Sequence, residues 1–166
     1  MSSNYLPVTM IYKNNGDGSF TPLDISLPGT YDGVVTWGDY DNDGDLDLFI
    51  AGSNSPNICI CKLYQNNGND LFVDDPSFSV SALAPVSADW GDYNCDGYLD
   101  LIVAGGSIEV YKNNANKTFT KQTGISIPEI YHTKAEWADF NSDGFLDFIY
   151  SLFLLSLTSL IHRERK

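Results

Sequence analysis

Residues 37–48 read Trp-Gly-Asp-Tyr-Asp-Asn-Asp-Gly-Asp-Leu-Asp-Leu and lie between two short runs of β-branched and aromatic residues. The pattern returns as Trp-Gly-Asp-Tyr-Asn-Cys-Asp-Gly-Tyr-Leu-Asp-Leu at 90–101 and as Trp-Ala-Asp-Phe-Asn-Ser-Asp-Gly-Phe-Leu-Asp-Phe at 137–148. Successive copies start 53 and then 47 residues apart. A motif that recurs at a nearly constant period of about 50 residues indicates a repeat protein, in which each repeat is one supersecondary unit.

A second motif alternates with the aspartate-rich one and consists of an aromatic residue, an Asn-rich turn and a phenylalanine. Its three copies begin and end at Tyr12 and Phe20, at Tyr64 and Phe72, and at Tyr111 and Phe119. Asn-Asn-Gly between short apolar runs favours the left-handed turn conformations that join paired strands. Each copy therefore predicts a β-hairpin, and the β-forming flanks of the aspartate-rich motif predict another.

Two such hairpins make a four-stranded antiparallel unit of about 50 residues, which is the size of a propeller blade. The sequence therefore predicts an all-β chain of about three blades in a single repeat domain that spans 1–166. The expected parts are an N-terminal half-blade hairpin at 9–26, blades at 34–76 and 87–122, and a C-terminal half-blade hairpin at 134–150. An atypical tail follows at 151–166.

The composition excludes some classes of partner. The chain has 22 acidic residues, of which 18 are Asp, against 9 basic ones, and its net charge is −13. Nucleic acid is not an expected partner, because phosphate binding needs a basic surface. The longest apolar stretch, 148–161, has 14 residues, fewer than the ~20 that a membrane-spanning helix needs. Aspartate prefers turns and hard cations, so the aspartate-rich loops are the first candidates for function.

These loops present oxygen atoms at alternate positions, an arrangement that suits calcium. Alternate positions of a tightly wound loop point at one centre, glycine at position 6 allows the sharp turn, and position 7 offers its backbone carbonyl. Ligands that are all oxygen suit Ca²⁺ better than a soft metal. The sequence predicts up to three calcium ions. The expected ligands are Asp39, Asp41, Asp43, Asp45 and Asp47; Asp92, Asn94, Asp96, Tyr98 and Asp100; and Asp139, Asn141, Asp143, Phe145 and Asp147.

Two other interpretations of the loops are less consistent with the sequence. An EF-hand needs Glu at position 12 and a helix on each side, whereas position 12 here is Ile50, Val103 or Tyr150, within expected strands. Aspartates can also simply stabilise turns. A turn-forming role alone does not require five spaced oxygen ligands in each of three loops.

The aspartate-rich motif, followed by Leu-Tyr-Gln-Asn-Asn-Gly at 63–68, resembles the FG-GAP/VCBS repeat of integrin-α-like β-propellers. The resemblance covers roughly residues 9–150 with about three repeats. It implies four-stranded blades that hold Ca²⁺ in the loop between the first and second strands, and so the same ligands in the three loops. It also implies an extracellular or cell-surface protein, although the N-terminus of this chain carries no signal peptide.

Three blades are fewer than the four or more from which propellers are built. The chain is therefore expected as a partial propeller: an open arc, or one half of a ring completed by a second copy in a homo-oligomer. The N-terminal hairpin has the sequence of the outer half of a blade and the C-terminal hairpin that of the inner half, so the two are complementary.

The leading functional interpretation is a non-enzymatic binding or adhesion module in which calcium is structural. The expected ligand is a protein or a glycan on the rim opposite the calcium loops, where Tyr31, Tyr131 and His132 are candidates, because variable loops carry recognition. The first alternative is a polysaccharide-acting enzyme or a module attached to one; against it, no acid pair is left outside the loops. The second is a truncated fragment of a longer propeller without independent function.

Overall fold

The computed structural model describes residues 6–55, 58–78, 80, 87–125 and 133–152, in which every regular element is a β-strand. The strands are β1 (Tyr12–Asn14), β2 (Phe20–Pro22), β3 (Tyr31–Gly38), β4 (Asp47–Ser55), β5 (Ile58–Asn66), β6 (Phe72–Asp74), β7 (Ser87–Gly91), β8 (Asp100–Ala104), β9 (Ile108–Asn113), β10 (Phe119–Lys121), β11 (Thr133–Ala138) and β12 (Asp147–Leu152). None of the described residues belongs to a helix long and apolar enough to cross a membrane.

The strands form four antiparallel sheets in which neighbours along the chain are also neighbours in the sheet. Strands β3 to β6 form one four-stranded sheet and β7 to β10 form another, while β1–β2 and β11–β12 are two-stranded. No sheet of the described residues closes into a barrel. The predicted fold class, an all-β chain of antiparallel four-stranded blades in a partial propeller, is confirmed.

The two complete blades share one register, which follows from the repeated sequence. Leu48 is opposite Tyr64 in the β4–β5 pair, and Leu101 is opposite Tyr111 in the β8–β9 pair. Strands β4 and β8 are apolar and fully buried along most of their length, because each has a strand on both sides and a neighbouring blade or turn over its faces. The hydrophobic core therefore lies within and between the blades.

Where one blade packs on the next, a tryptophan of the following blade lies against a glycine of the preceding one. The Trp90 ring lies against Gly38 of the preceding blade, where an added Cβ atom would be 2.7 Å from its Cγ and Cδ1 atoms. Trp137 meets Gly91 in the same way, with an added Cβ 2.8 Å from its Cδ1. Trp90 also stacks on Tyr40 with a centroid distance of 6.5 Å. These tryptophans are inter-blade packing residues, as their fixed position in the repeat indicates.

The two half-blades lie at opposite ends of the arc. The β1–β2 hairpin lies beside the first complete blade, where Lys13 Nζ is 2.9 Å from Asp70 Oδ2. The β11–β12 hairpin lies beside the second, where the Trp137 backbone N–H donates to Asp89 Oδ2 at 2.8 Å. Of the predicted atypical tail, residues 153–166 lie outside the described residues.

Candidate metal centre

In the first acidic loop the backbone winds around one carboxylate. Asp39 accepts hydrogen bonds from the N–H of Asp43 at 3.1 Å and of Gly44 at 3.0 Å. The Asp43 carboxylate in turn accepts from the N–H of Asp45 at 3.0 Å. The side chains at positions 1 and 5 thereby hold the loop closed.

The second and third loops repeat this arrangement at the corresponding positions. Asp92 accepts from the N–H of Asp96 and Gly97, Asp96 from that of Tyr98, Asp139 from those of Asp143 and Gly144, and Asp143 from that of Phe145, all at 2.8 to 3.1 Å. The three segments differ at positions 4 and 7, and the first also differs from the other two at position 3. They reach one conformation because all three have Asp at positions 1 and 5 and Gly at position 6.

The backbone dihedral angles of the three loops agree closely. Position 4 has a left-handed φ in each loop, at Asn42 (59°), Cys95 (58°) and Ser142 (60°), and so does position 6, at Gly44 (93°), Gly97 (86°) and Gly144 (89°). Glycine adopts this conformation without steric cost, whereas other residues do so less readily. The position-4 conformation is kept with three different side chains, so it is a property of the loop rather than of one residue.

The loops also touch one another along one rim of the arc. The Asn42 Nδ2 atom donates to the carbonyl oxygen of Gly97 at 2.9 Å, and the Cys95 Sγ atom lies 3.6 Å from that of Gly144. Position 4 of one loop therefore contacts position 6 of the next. A change in the conformation of one loop would therefore alter a contact with the neighbouring loop.

The first loop brings three carboxylates together. Ligand oxygens of Asp39, Asp41 and Asp43 all lie within 4.8 Å of one another. The Asp41 side chain is only 3% exposed, and its Oδ2 accepts from Gln65 Nε2 at 2.7 Å and lies 2.9 Å from Lys117 Nζ. Its Oδ1 is buried and has no hydrogen-bond partner. A buried carboxylate oxygen without a partner, beside two further carboxylates, fits a hard cation, so this triad could hold a metal ion.

The aspartates at position 9 connect the loop to the second hairpin of the blade. Asp47 accepts from the N–H of Asn66 at 2.8 Å and from that of Tyr40 at 3.1 Å. Asp100 accepts from the N–H of Asn113 at 2.8 Å in the same way. Both aspartates are fully buried, so they act as clamps between the two motifs of the repeat.

Burial at these clamps changes their protonation. Burial raises the pKa of Asp47 to about 6, and the negative charges of Asp41 and Asp43 add to the increase, while two backbone hydrogen bonds oppose it. Burial likewise raises the pKa of Asp100 to about 6, with a smaller contribution from two carboxylates of its own loop. Burial, with a smaller contribution from the neighbouring carboxylates, thus gives both clamps a higher proton affinity than an ordinary aspartate.

The structure distributes the predicted ligands among three roles. The carboxylates at positions 1, 3 and 5 of the first loop form the cluster, those at position 9 are clamps in the complete blades, and the position-7 residues Asp45, Tyr98 and Phe145 donate their N–H groups to position 5. In the third loop the Asn141 side chain accepts from the N–H of Asp143 at 2.9 Å.

The sequence analysis missed the side chains that reach into the loops from the second hairpin. Lys112 Nζ is 3.0 Å from Asp96 Oδ2, and its hydrogen bond holds the pKa of Asp96 below the ordinary value. Gln65 occupies the same repeat position and contacts Asp41. The sequence does contain a signal for these side chains, because a residue with a long hydrogen-bond donor side chain precedes the Asn-Asn turn in all three copies. Lys117 gave no such signal, since it reaches a loop of a different blade.

The candidates for ligand binding on the opposite rim are described only in part. Tyr31 begins β3 and is 43% exposed, at an irregular pairing with β4. Its neighbour Asp32 has a left-handed φ of 47°. Tyr131 and His132 lie outside the described residues.

Comparison with known proteins identifies the repeats. The model of the FG-GAP-like repeat family matches residues 7–50, 39–103 and 96–150. A search of curated proteins finds no significant match. Each matched segment contains at least one complete acidic loop, and the segment 39–103 contains two. The chain therefore belongs to the FG-GAP-like repeat family and is a β-propeller-like repeat module with about three repeats.

Proposed function

We propose that the chain is a calcium-stabilised module that binds another macromolecule and catalyses no reaction. The observation that carries the proposal is the buried, unpartnered Oδ1 of Asp41 within the cluster formed with Asp39 and Asp43. Several carboxylates converging on one point repel each other, and a divalent cation removes this repulsion. Ca²⁺ is the expected ion because it accepts many oxygen ligands in flexible geometry.

The second and third loops are the further calcium sites of this proposal. Each keeps the aspartates at positions 1, 5 and 9 and has asparagine at position 3, whose amide oxygen is also a calcium ligand. The hydrogen bonding and φ angles that they share with the first loop support equivalent sites. Because the loops touch, bound calcium would stabilise the contact between blades as well as each blade.

The state of two carboxylates outside the loops, Glu109 and Asp75, supports a non-enzymatic role. Glu109 accepts from Lys121 Nζ at 2.6 Å and from Ser107 Oγ at 3.1 Å, and Asp75 accepts from the Tyr40 hydroxyl at 2.8 Å. A glycoside-cleaving acid pair needs two carboxylates facing each other across a cleft. These two carboxylates are instead held by hydrogen bonds within the sheets and their turns.

The rim opposite the acidic loops is the proposed binding surface for a protein or a glycan. The acidic loops and the Asn-rich turns occupy one rim, as the contact between Lys117 and Asp41 supports, and leave the other rim for recognition. Tyr31 is the described residue proposed to contribute to it. An extracellular or cell-surface location, which the resemblance to integrin-α-like propellers implies, belongs to the same proposal. Calcium-binding modules outside cells have Kd values of about 10⁻⁴ to 10⁻³ M.

Thermal unfolding with millimolar CaCl₂, MgCl₂ or EDTA tests the calcium proposal. Binding to the folded state alone adds about 2.7 kcal/mol of stability per site at a hundredfold excess over Kd. We expect a calcium-specific rise in Tm that Asp41→Asn reduces. Asp24→Asn is the matched control, because Asp24 is exposed and outside the loops. A cooperative transition with the same Tm in CaCl₂ and EDTA would refute the calcium proposal.

Binding of the calcium-loaded protein to panels of immobilised glycans and extracellular-matrix proteins tests the recognition proposal. Tyr31→Ala should weaken any specific binding, whereas Tyr98→Ala, on the acidic rim, should not. A polysaccharide-degradation screen of the same preparation tests the enzymatic alternative. Turnover that persists in EDTA and is lost on substitution of an acid outside the loops would contradict the non-enzymatic role.

A further inference from the structure

One edge of strand β12 is unpaired in the described structure, whereas both edges of the corresponding strands β4 and β8 are paired. Among the described residues, β12 pairs with β11 alone. Ile149 is 67% exposed, but the residues at its repeat position, Phe49 and Ile102, are fully buried. In the described part of the chain, the β11–β12 hairpin thus has the inner two strands of a blade without the outer two.

The β1–β2 hairpin is the complementary half. Its β1 strand corresponds to β5 and β9, and its Tyr12 is 56% exposed, whereas Tyr111 at the same repeat position is 3% exposed. Asn15 N–H donates to the Ser19 carbonyl and Leu23 N–H to the Ile11 carbonyl. The alternation of a strand therefore directs the backbone groups of residues 12 and 14 to the free edge of β1.

A specific hydrogen bond is missing between these halves. In both complete blades the Asn of the second motif donates its N–H to the position-9 aspartate: Asn66 to Asp47 and Asn113 to Asp100, each at 2.8 Å. In the third repeat the aspartate is Asp147, and among the described residues no second hairpin donates an N–H to it; its Oδ2, the atom that in Asp47 accepts from the Tyr40 N–H, is buried without a hydrogen-bond partner. The equivalent donor is Asn14, whose side chain already forms the same turn contact, accepting from Gly16 N–H at 2.8 Å.

The faces at the two ends of the arc are complementary as well. Between blades, Tyr40 stacks on Trp90 and Tyr93 on Trp137. The aromatic residues left over at the two ends are Trp37, 43% exposed, and Phe140, 80% exposed. Phe140 has the repeat position of the tyrosines and Trp37 that of the tryptophans.

We propose that the binding partner of this surface is a second copy of the chain. The β1–β2 hairpin of one copy pairs along β12 of the other, Asn14 N–H donates to Asp147, and Trp37 stacks on Phe140. The reciprocal joint closes a ring of six blades, which lies within the range of known propellers. Lys13, which pairs with Asp70 within one copy, has the repeat position from which Lys112 reaches the second acidic loop, so in the joint it can exchange Asp70 for the third loop of the other copy.

The hairpin and its complement cannot meet within one arc. The β1–β2 hairpin lies beside the first complete blade and β11–β12 beside the second, so the two complete blades stand between them. The register of β4–β5 and β8–β9, transferred to the joint, places Tyr12 opposite Phe148 and Ile11 opposite Ile149. This proposal does not depend on bound calcium.

Disulfide cross-linking tests the proposed register. In a background that carries C59S, C61A and C95S, Ile11→Cys combined with Ile149→Cys should form a covalent dimer on mild oxidation. The control combines Ile11→Cys with Tyr150→Cys, because a shift of one residue turns the side chains to opposite faces. Equal cross-linking of both pairs, or an intramolecular disulfide in a species of monomer mass, would overturn the proposal.

Light scattering of the otherwise native chain gives an independent test. We expect a mass of twice the 18.3 kDa chain, and at least a tenfold weaker dimer for Ile149→Glu. Val73→Glu, at another exposed strand position, should leave the dimer intact. Ala138 stands where the other blades have Gly38 and Gly91 against a tryptophan, so Ala138→Gly should tighten the dimer. A folded monomer at tens of micromolar protein would refute the proposal.

Discussion

Lys117, in the β9–β10 turn of the second blade, places its Nζ atom 2.9 Å from Oδ2 of Asp41 in the acidic loop of the first blade. The Asp41 side chain is 3% exposed and that of Lys117 is 50% exposed. A buried carboxylate needs a compensating charge, and the ammonium group supplies it. Under the calcium proposal, Lys117 and a bound cation both compensate the charge of the Asp41 carboxylate. Each therefore weakens the interaction of that carboxylate with the other.

Replacing Lys117 by methionine should therefore strengthen calcium binding at the first loop. We expect Kd for that site to fall by about threefold to tenfold, which corresponds to roughly 1 kcal/mol for one partly exposed ion pair. The free energy of unfolding in EDTA should fall at the same time, because Asp41 loses its counter-charge. Isothermal titration calorimetry and denaturant unfolding measure the two effects.

Lys62→Met is the control for this substitution. Lys62 forms an ion pair with Asp74 on the exposed β5–β6 edge, away from the acidic loops. Its loss should change neither the calcium affinity nor, to any large extent, the stability. Weaker calcium binding in Lys117→Met than in Lys62→Met would contradict the competition between lysine and metal.

The clamp aspartates predict an unusual pH dependence of the metal-free protein. The pKa values of Asp47 and Asp100 are raised by burial to about 6 in the folded state, against 3.8 for an ordinary aspartate. The folded state therefore binds these protons more tightly than the unfolded state does. The resulting stability is fully present below about pH 4 and is lost as the pH rises through 6.

Thermal unfolding between pH 4.5 and 7.5 in EDTA measures this effect. Tm should fall as the pH rises through 6, and Asp100→Asn should flatten the curve, because its amide stays neutral. Millimolar CaCl₂ should raise Tm mainly above pH 6, where the carboxylates are ionised. A Tm in EDTA that increases steadily from pH 4.5 to 7.5 would show that other groups dominate the titration.

The strands and sheets were predictable because their signals are local and repeated. Asn-Asn-Gly at 66–68 specifies a hairpin through the dihedral angles of a few residues, and the aspartate-rich motif specifies a loop through hydrogen bonds over six residues, such as those of Asp39. The aspartate-rich motif occurs three times, and the Asn-Asn turn does too, with Ala115 in place of the glycine in its third copy. A single copy would have left the choice between a turn and a helix cap open.

The contacts between blades could not be predicted in this way. Lys117 and Asp41 are 76 positions apart, and nothing in either motif indicates that they meet. The double role of Asp47, a predicted ligand whose carboxylate also clamps Asn66, depends on the pairing of two hairpins. Such contacts follow from how neighbouring repeats stack, which the spacing of motifs does not specify.

The fit of tryptophan on glycine predicts a marked cost for one methyl group. In Gly91→Ala the new Cβ would lie 2.6 Å from Leu146 Cδ1 and 2.8 Å from Trp137 Cδ1. Overpacking of this kind costs about 1–3 kcal/mol, so Tm should fall by several degrees. The control is Gly124→Ala, where a Cβ would meet nothing within 4 Å, and its Tm should stay near that of the parent protein. Equal Tm values for the two variants would mean that the blades separate easily here.

Asn113 joins the two complete blades, and its removal should be costly. Its Nδ2 donates to the Tyr40 carbonyl of the first blade at 2.7 Å and to the Leu99 carbonyl of its own at 3.2 Å, and the residue is 1% exposed. Asn113→Ala leaves a carbonyl at the inter-blade contact without its donor, a loss of about 1–3 kcal/mol. We therefore expect a lower midpoint in urea, and a smaller m-value if the blades begin to unfold separately.

Asn114→Ala provides the comparison, since this neighbour is exposed and its amide bonds only to Thr118 and Thr120 within the same hairpin. Water can replace those bonds, so the change in the free energy of unfolding should stay below about 1 kcal/mol. Tryptophan fluorescence follows the transition in both variants, because Trp90 and Trp137 lie at the contacts between blades. If Asn114→Ala proved as destabilising as Asn113→Ala, the hairpin turn rather than the bridge to Tyr40 would determine the stability of the pair of blades.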